Sequence, residues 1–192
     1  MNIFKKKIFN IFTLVLIFTF HDPALAFIDP YPKNPKIDVI NYVFNLTLSD
    51  EKNEIRCNTT IDIRFKASNI EKIRLDLTNY SAESGNKGML VERVESSNIE
   101  LKFTHQENEL WVYFDKASEK DERIKFSIQY KGVPANGLQI GNNKYGDRTF
   151  FSDNWPNKAR HWLATVDHPY DKATCEFIVT APDHYQVVSN GL

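Results

Sequence analysis

The sequence predicts an all-β fold, an antiparallel β-sandwich, on three observations. Apolar and polar residues alternate with a period of two along many short segments. Polar, turn-like stretches separate these segments, and no window of a dozen residues combines helical spacing with caps. A period of two places one row of side chains on each face of a strand, so one face is buried and the other solvated. Short strands of this kind joined by polar turns are typical of a sandwich or a barrel.

In chain order, a proline-rich stretch at residues 27–38 predicts an extended lead-in, because proline fixes its backbone and lacks a donor. Alternating segments then predict strands at residues 42–48, 61–65, 73–77, 101–103, 110–114 and 124–130. The separators at 49–54, 81–88, 105–109 and 116–122 predict turns. The glycine-rich residues 131–159 predict a loop or an irregular hairpin, and strand patterns return at 173–181 and 185–188.

The amino terminus has the pattern of a secretory signal peptide over residues 1–26. Three lysines precede the apolar run Ile8–Phe20, and the segment ends in the small-residue motif Ala24-Leu25-Ala26. The apolar run is shorter than the roughly 20 residues of a membrane span, although an uncleaved anchor is the alternative. We therefore expect a secreted or periplasmic protein whose residues 27–192 form one domain. The net charge of −1 predicts neither a nucleic-acid nor a lipid partner.

The two cysteines, Cys57 and Cys175, lie in phase with apolar neighbours. This pattern favours two free, buried thiols, since free cysteine behaves as a small hydrophobic residue. A disulfide is the alternative, because an oxidising compartment permits one if the two backbones lie close enough. A catalytic thiol is disfavoured, since no histidine stands at a recognisable partner position.

Residues 157–177, NKARHWLATVDHPYDKATCEF, are crowded with groups that could do chemistry. His161 and His168 are seven apart, and the chain has no His-Glu-x-x-His or Cys-x-x-Cys pattern, which disfavours a zinc site. A Ser-His-Asp triad is disfavoured too, because no Gly-x-Ser-x-Gly elbow occurs. Nearby, Trp155 lies between Asn154 and Pro156, where it either caps the edge of the core or forms a wall for a ligand.

Several short motifs from Tyr130 onward resemble, in order and spacing, the N-terminal β-domain of the zinc aminopeptidases of the aminopeptidase N family, to which leukotriene hydrolase belongs. They are Tyr130-x-Gly132, Gly137-Leu138, Ala159-Arg160, Asp167-x-Pro169, Lys172-Ala173 and Ser189-Asn190-Gly191. The resemblance implies a saddle-like β-sandwich that packs on a thermolysin-like catalytic domain. It implies that zinc belongs to that second domain, which is missing here, so we expect no cofactor and no activity in this chain alone.

In that family the first domain lends a Gln or Glu to the substrate's free amino group, five positions before the arginine that matches Arg160. Trp155 stands there instead, and an indole ring can offer an ammonium only its face. Asp153 and Asn154 are the alternative contacts. The predicted substrate-binding residues are therefore Asp153, Asn154 and Trp155, and the predicted structural residues are Arg160, Asp167 and Pro169, because a bidentate Arg160–Asp167 pair suits loop anchoring.

Two functions from different classes remain open. The first is the N-terminal domain of a secreted zinc aminopeptidase that removes N-terminal residues from peptides, supplied as a fragment, since the turn signal at residues 189–192 looks interrupted. The second is a stand-alone β-sandwich that binds peptide or glycan, and a degenerate remnant is a third possibility. If the first holds, we expect the isolated chain to expose an apolar surface and to be poorly soluble.

Overall fold

The computed structural model describes residues 29–97 and 99–191 of the chain. The chain divides into two units, Met1–Tyr31 and Pro32–Leu192, and the fold given below is that of the second. The signal peptide predicted for residues 1–26 lies outside the described residues. In the part of the chain that is described, no helix is long and apolar enough to cross a membrane.

Strands dominate the described residues, and the only helical element among them is one short 3₁₀ helix. The strands are β1 (Ile37–Thr47), β2 (Ile55–Phe65), β3 (Lys72–Asp76), β4 (Gly88–Ser96), β5 (Ile99–Glu100), β6 (Phe103–Gln106), β7 (Glu109–Tyr113), β8 (Arg123–Val133), β9 (Leu138–Asn142), β10 (Arg148–Ser152) and β11 (Thr174–Thr180), and the 3₁₀ helix is Ala159–His161.

The strands form one large sheet and two smaller ones. The main sheet has six strands in the order β11-β1-β2-β8-β4-β5, the small sheet has the order β3-β7-β6, and β9 and β10 form a hairpin. Neighbouring strands are antiparallel except β1 and β11, which run parallel at one edge of the main sheet. The all-β, antiparallel sandwich predicted from the sequence is confirmed, with this single parallel pair as the departure.

The core lies between the main sheet and the small sheet. On the main sheet the alternating residues of β2 and β8 are buried, and Ile61 lies opposite Phe126 in the strand register. On the small sheet, Leu75 and Leu110 are paired and fully buried. Phe114 joins the two layers, because its ring lies 6.0 Å from that of Phe126. Each fully buried side chain of this size stabilises the fold by roughly 1.5–3 kcal/mol.

The sequence pattern missed one long strand and predicted one that is absent. Strand β4 was missed because a bulge between Val91 and Arg93 shifts its register against β8, which breaks the period of two. Residues 185–188 are not a strand, and the prediction there was wrong. Residues 131–159 contain the β9–β10 hairpin, as expected of an irregular hairpin. The predicted lead-in has no regular structure at residues 32–34, but residues 35–36 form a turn and β1 begins inside the predicted range, at Ile37.

Both cysteines are free, but only one of them is buried. Cys57 lies inside the core on β2, whereas Cys175 is exposed on β11, so the prediction of two buried thiols was wrong for Cys175. Strand β1 lies between β2 and β11. Cys175 pairs with Tyr42 and Cys57 pairs with Leu46, so the two cysteines also lie four residues apart along β1. Two strand spacings across and four residues along give a separation of roughly 16 Å, which exceeds the reach of a disulfide.

Two buried tyrosine hydroxyls of the main sheet hold a later segment of the chain. The Tyr130 hydroxyl accepts a hydrogen bond from the Ala164 amide at 3.2 Å and shares a second one with Thr59 Oγ1 at 3.1 Å. The Tyr42 hydroxyl accepts from the Val166 amide at 3.0 Å. Burial raises the pKa of both tyrosines, so both hydroxyls stay protonated at any physiological pH.

We expect Tyr130→Phe to lower the free energy of unfolding by about 1–3 kcal/mol, because it leaves the buried Ala164 amide without a partner. Urea unfolding followed by circular dichroism measures this loss. Tyr145→Phe is the matched control, since the Tyr145 side chain is 77% exposed and the hydroxyl that this variant removes is solvated. Equal stability of the two variants would contradict a structural role for the Tyr130 hydroxyl.

Candidate functional site

The candidate site is the long segment between β10 and β11, residues 153–173. It begins with a loop at residues 153–158, passes through the 3₁₀ helix, and continues as the turn segment, residues 162–167, whose side chains are all buried. A second turn leads into β11. The segment contains all six residues that the sequence singled out as substrate-binding or structural.

The first predicted substrate contact, Asp153, is already engaged. Its Oδ2 accepts a hydrogen bond from Lys158 Nζ at 2.6 Å, and its Oδ1 accepts from the Trp155 amide at 3.2 Å. The hydrogen bond from Lys158 is the main cause that lowers the pKa of Asp153. The carboxylate is charged and paired within its own loop, which leaves it less able to bind a separate ammonium group.

The second, Asn154, links the loop to the core. Its side-chain oxygen accepts a hydrogen bond from Trp162 Nε1 at 2.9 Å, and its carbonyl accepts from the Lys158 amide at 3.0 Å. Because the Trp162 side chain is buried, this bond holds the loop against the interior. The side-chain oxygen and the backbone carbonyl of Asn154 both accept hydrogen bonds from within the domain. These two bonds fix the residue in the loop.

The third, Trp155, presents its ring to solvent. The side chain is 80% exposed, so it does not cap the core as one reading of the sequence proposed. The amide is fixed by Asp153, and Asn154 is fixed by Trp162, which places a large aromatic face at the tip of an anchored loop. An exposed indole face can contact an ammonium or stack on a flat ligand group.

Arg160 and Asp167 form a paired contact across the turn segment. Arg160 Nε donates to Asp167 Oδ2 at 2.9 Å, and the guanidinium also donates to the Asp167 carbonyl at 3.1 Å. The Arg160 amide donates to the same carboxylate oxygen at 3.1 Å. Three bonds from one residue to another close the segment into a loop of fixed shape.

A buried carboxylate that the sequence analysis did not single out lies beneath this pair. Asp76, at the end of β3, is 1% exposed; its Oδ1 accepts from Arg74 and its Oδ2 accepts from the Asp167 amide at 2.9 Å. Its backbone exchanges two hydrogen bonds with Thr165. Arg74 and Asp76 occupy the polar positions of β3, which alternate with the buried Ile73 and Leu75, so the pattern alone does not separate Asp76 from an ordinary solvent-facing residue.

Pro169 is exposed and occupies the second position of a turn. The Asp171 amide donates to the His168 carbonyl at 3.2 Å, which is the bond that closes a four-residue β-turn. Proline suits this position because its fixed φ matches the turn. The turn redirects the chain from the buried segment into β11.

The histidine of the 3₁₀ helix is half buried. His161 Nδ1 lies 2.8 Å from Thr78 Oγ1, and burial lowers the pKa of the ring, with the nearby Arg160 charge as a second cause. His105, on β6, has its pKa lowered mainly by burial, and its Nε2 donates to the Leu77 carbonyl at 2.8 Å. Within the described ranges, no group of three or more His, Cys, Asp or Glu side chains is placed to hold a metal ion.

Beside the segment lies an open apolar groove of about 750 Å³. Its floor is the inner face of β1 and β11, where Phe177 stacks on Phe44 at 5.1 Å between ring centres and also faces Trp162 at 6.3 Å. The β9–β10 hairpin and residues 185–190 form its sides. Asp171 is the only charged residue among those that line it.

Solved structures that resemble this arrangement of strands include zinc metallopeptidases. The M1 zinc metallopeptidase of Deinococcus radiodurans superposes with a TM-score of 0.62 at 21% identity, over 78% of this chain and 33% of that chain. Leukotriene A4 hydrolase of Saccharomyces cerevisiae gives a TM-score of 0.62 at 21% identity, over 77% of this chain and 24% of that one. At such identities the likeness establishes the fold, and this chain spans a third or less of these relatives.

The fold is thus the β-sandwich that these metallopeptidase structures contain. Residues 39–192 match the Peptidase M1 N-terminal domain, and the chain belongs to that family. The resemblance seen in the sequence is confirmed. A search of curated proteins returned no match.

We expect the free energy of unfolding to fall as the pH drops from about 7.5 to 5. The folded pKa values of His105 and His161 lie below the ordinary 6.5, so the unfolded chain binds protons that the folded chain resists. Stability is fully present above pH 6.5 and is lost below it. Each histidine contributes at most about 1.4 kcal/mol per pH unit. Urea unfolding at several pH values measures the profile.

His105→Gln should flatten this profile, because glutamine can donate to the Leu77 carbonyl without taking up a proton. His184→Gln is the control for loss of a histidine, since the His184 side chain is 59% exposed. A profile that His105→Gln leaves as steep as that of the unmodified protein would show that burial of this ring does not set the pH dependence.

Proposed function

We propose that this chain is the N-terminal domain of a zinc-dependent aminopeptidase, an enzyme that removes N-terminal residues from peptides. The observation that carries the proposal is the match of residues 39–192 to the Peptidase M1 N-terminal domain. The solved relatives are several times longer than the matched region, so their catalytic machinery has room to lie outside it. The partner of this domain is then a thermolysin-like catalytic domain of the same protein.

The chemistry of the enzyme belongs, on this proposal, to the second domain. The chain contains no His-Glu-x-x-His pattern, and its described residues bring together no metal-binding cluster. The catalytic zinc would be held by residues beyond this chain. The protein would reach its place of action by export, through the signal peptide proposed for residues 1–26.

On this proposal, the domain contributes to substrate binding at the tip of the 153–158 loop. Asp153 and Asn154 are engaged within the loop, whereas Trp155 offers an uncovered aromatic face. A peptide substrate carries a terminal ammonium, and an aromatic face attracts a cation. One solved relative, a variant of the Deinococcus radiodurans enzyme, is bound to a Tyr-Ser-Ala substrate.

Arg160, Asp167 and Pro169 are assigned a structural role. Arg160 and Asp167 bond mainly to each other and to the chain around Asp76, and their side chains are mostly buried. Pro169 shapes a turn at the surface. Such contacts suit residues that hold the loop against the two sheets.

A stand-alone module that binds peptide or glycan is the second candidate. The exposed ring of Trp155 favours it, because a single aromatic face on a fixed loop also suits stacking on a sugar or a side chain. The two candidates differ in whether the coding sequence continues past Leu192 into a His-Glu-x-x-His pattern.

We expect the genomic sequence to continue in frame into a segment with that pattern. The 192-residue chain should bind no zinc by atomic absorption and should not cleave an aminoacyl p-nitroanilide, whereas the longer protein should do both. A stop codon directly after Leu192 would favour the stand-alone module. Turnover by the purified 192-residue chain would contradict the assignment of catalysis to a second domain.

In the longer protein, Trp155→Ala should raise KM by roughly twofold to thirtyfold, which corresponds to the 0.5–2 kcal/mol of a cation–aromatic contact. The kcat should change little, because the contact is made with the substrate's ammonium in ground and transition states alike. Trp155→Phe should retain most of the affinity.

Asp167→Asn is the contrasting variant, and it should lower the melting temperature while Trp155→Ala leaves it unchanged. The amide can accept from Arg160 but carries no charge to pair with the guanidinium. An unchanged KM in Trp155→Ala would show that the indole does not bind substrate. An unchanged melting temperature in Asp167→Asn would show that the Arg160–Asp167 pair has no structural role.

A further inference from the structure

The loop at residues 153–158 contains one carboxylate and one ammonium group, and the two bond to each other. Asp153 Oδ2 accepts a hydrogen bond from Lys158 Nζ at 2.6 Å, and no other partner of Lys158 Nζ is found among the described residues. Both side chains are partly exposed, 41% for Asp153 and 30% for Lys158. The ion pair is therefore accessible from solvent, and a ligand can reach the carboxylate once the lysine side chain moves aside.

The carboxylate is positioned by contacts that do not involve the lysine side chain. The Asp153 amide donates to the Gly137 carbonyl at 2.7 Å, and Asp153 Oδ1 accepts from the Trp155 amide at 3.2 Å. A Cβ atom at Gly137 would lie 2.3 Å from the Lys158 carbonyl oxygen, so the backbone at both ends of the loop packs on this glycine. Asp153 therefore keeps its place when the Lys158 side chain leaves.

The backbone of Lys158 is likewise fixed without its side chain. Its amide donates to the Asn154 carbonyl at 3.0 Å, and its carbonyl accepts from the His161 amide at 3.2 Å. Release of Asp153 thus requires only a rotation of the Lys158 side chain, which has many rotamers. An exposed ion pair is also weak, because water competes for both groups and the pairing costs side-chain entropy. The contact can open without disturbing the loop.

A peptide N-terminus presents to Asp153 the same chemical group as Lys158 does, a primary ammonium with three donors and no acceptor. The hydrogen bond from Lys158 lowers the pKa of Asp153, so the carboxylate is charged at neutral pH and attracts a cation. The exposed ring of Trp155, two residues along, offers the same ligand an aromatic face. The loop thus combines two kinds of group that bind an ammonium ion.

We propose that Lys158 is the internal occupant of an ammonium site formed by Asp153 and Trp155, and that a peptide N-terminus binds there by displacing the lysine side chain from Asp153. This inference rests on the proposed function, which supplies the peptide N-terminus as the ligand. The Lys158–Asp153 bond is then an autoinhibitory contact, because it keeps the carboxylate occupied until a peptide replaces the lysine.

Ligand-observed saturation-transfer NMR tests the site on the 192-residue chain at micromolar concentration, without any need for catalysis. The probe is Ala-Ala-Ala-amide, whose only charge is its N-terminal ammonium. We expect saturable binding of this tripeptide and none of its N-acetylated form. Nα-acetyl-lysine amide carries the same group on a flexible side chain and should bind more weakly, because ordering that side chain costs entropy.

Lys158→Gln should tighten binding of the tripeptide by roughly twofold to fivefold, because it removes the competing ammonium and an exposed ion pair competes weakly. Lys158→Met removes the same charge and should show the same gain, whereas Lys158→Arg keeps a cation and should restore the weaker binding. Lys52→Gln is the matched control, since Lys52 forms a similar exposed ion pair with Glu54 at 3.0 Å in the β1–β2 turn. This variant should leave the affinity unchanged.

Asp153→Asn should abolish binding of the tripeptide. Its side-chain oxygen can still accept from the Trp155 amide, so the loop is retained, but it has no charge to pair with an ammonium. Thermal unfolding followed by circular dichroism shows that each variant is folded.

Equal binding of the free and the N-acetylated tripeptide would overturn the proposal. So would an affinity that Lys158→Gln and Lys158→Met leave unchanged or weaken, because the lysine would then not compete with the ligand. Binding of Nα-acetyl-lysine amide without binding of the tripeptide would refute the peptide N-terminus as the ligand.

Aminopeptidase activity is scored separately, in the longer protein. Tripeptide binding that responds to Lys158→Gln as expected, in a protein that cleaves no peptide, would refute the proposed function and leave the ammonium site intact. Peptide cleavage together with an affinity that ignores Lys158→Gln would refute the role of Lys158 and leave the proposed function intact.

Discussion

The turn segment at residues 162–167 is held from both layers of the sandwich at once, and the arrangement of the site depends on this. From the main sheet, the hydroxyls of Tyr42 and Tyr130 accept hydrogen bonds from its amides. From the small sheet, Asp76 accepts from the Asp167 amide and exchanges backbone bonds with Thr165. The segment is buried, so each of these polar groups would be costly to leave unpaired.

This double attachment also fixes the surface loop at residues 153–158. The indole of Trp162 is buried at the start of the turn segment, and its N–H donates to Asn154, two residues from the last strand of the hairpin. Trp155 follows directly. A loop of this kind usually owes its mobility to the absence of core contacts, whereas here one buried tryptophan fixes the residue next to the exposed one. The exposed indole is consequently presented from a defined position, which lowers the entropy that a ligand must overcome.

The sequence predicted the sandwich because its long strands have one apolar face, and that alternation follows directly from burial. It missed β4, where the bulge beside Arg93 breaks the alternation, and it wrongly assigned a strand at residues 185–188, whose apolar residues line a groove without pairing. The Arg160–Asp167 pair could be anticipated from the two residue types. Asp76 could not be ranked above the other acidic residues, because its partners Thr165 and Asp167 come from a segment about ninety residues away, and only the fold brings them together.

The charged residues of the candidate segment are best understood by where their hydrogen bonds go. Asp153 bonds to Lys158, and Arg160 bonds to Asp167 above the buried Asp76, so the charges satisfy one another within the domain. A catalytic group must instead direct an unshared proton or lone pair toward a substrate. Asp171 departs from this pattern, because its neighbours are the Val39 amide and the Tyr42 hydroxyl and no cation of the described residues pairs with it, and it lines the apolar groove. Most charges of this segment therefore hold the loop and the turn segment in place.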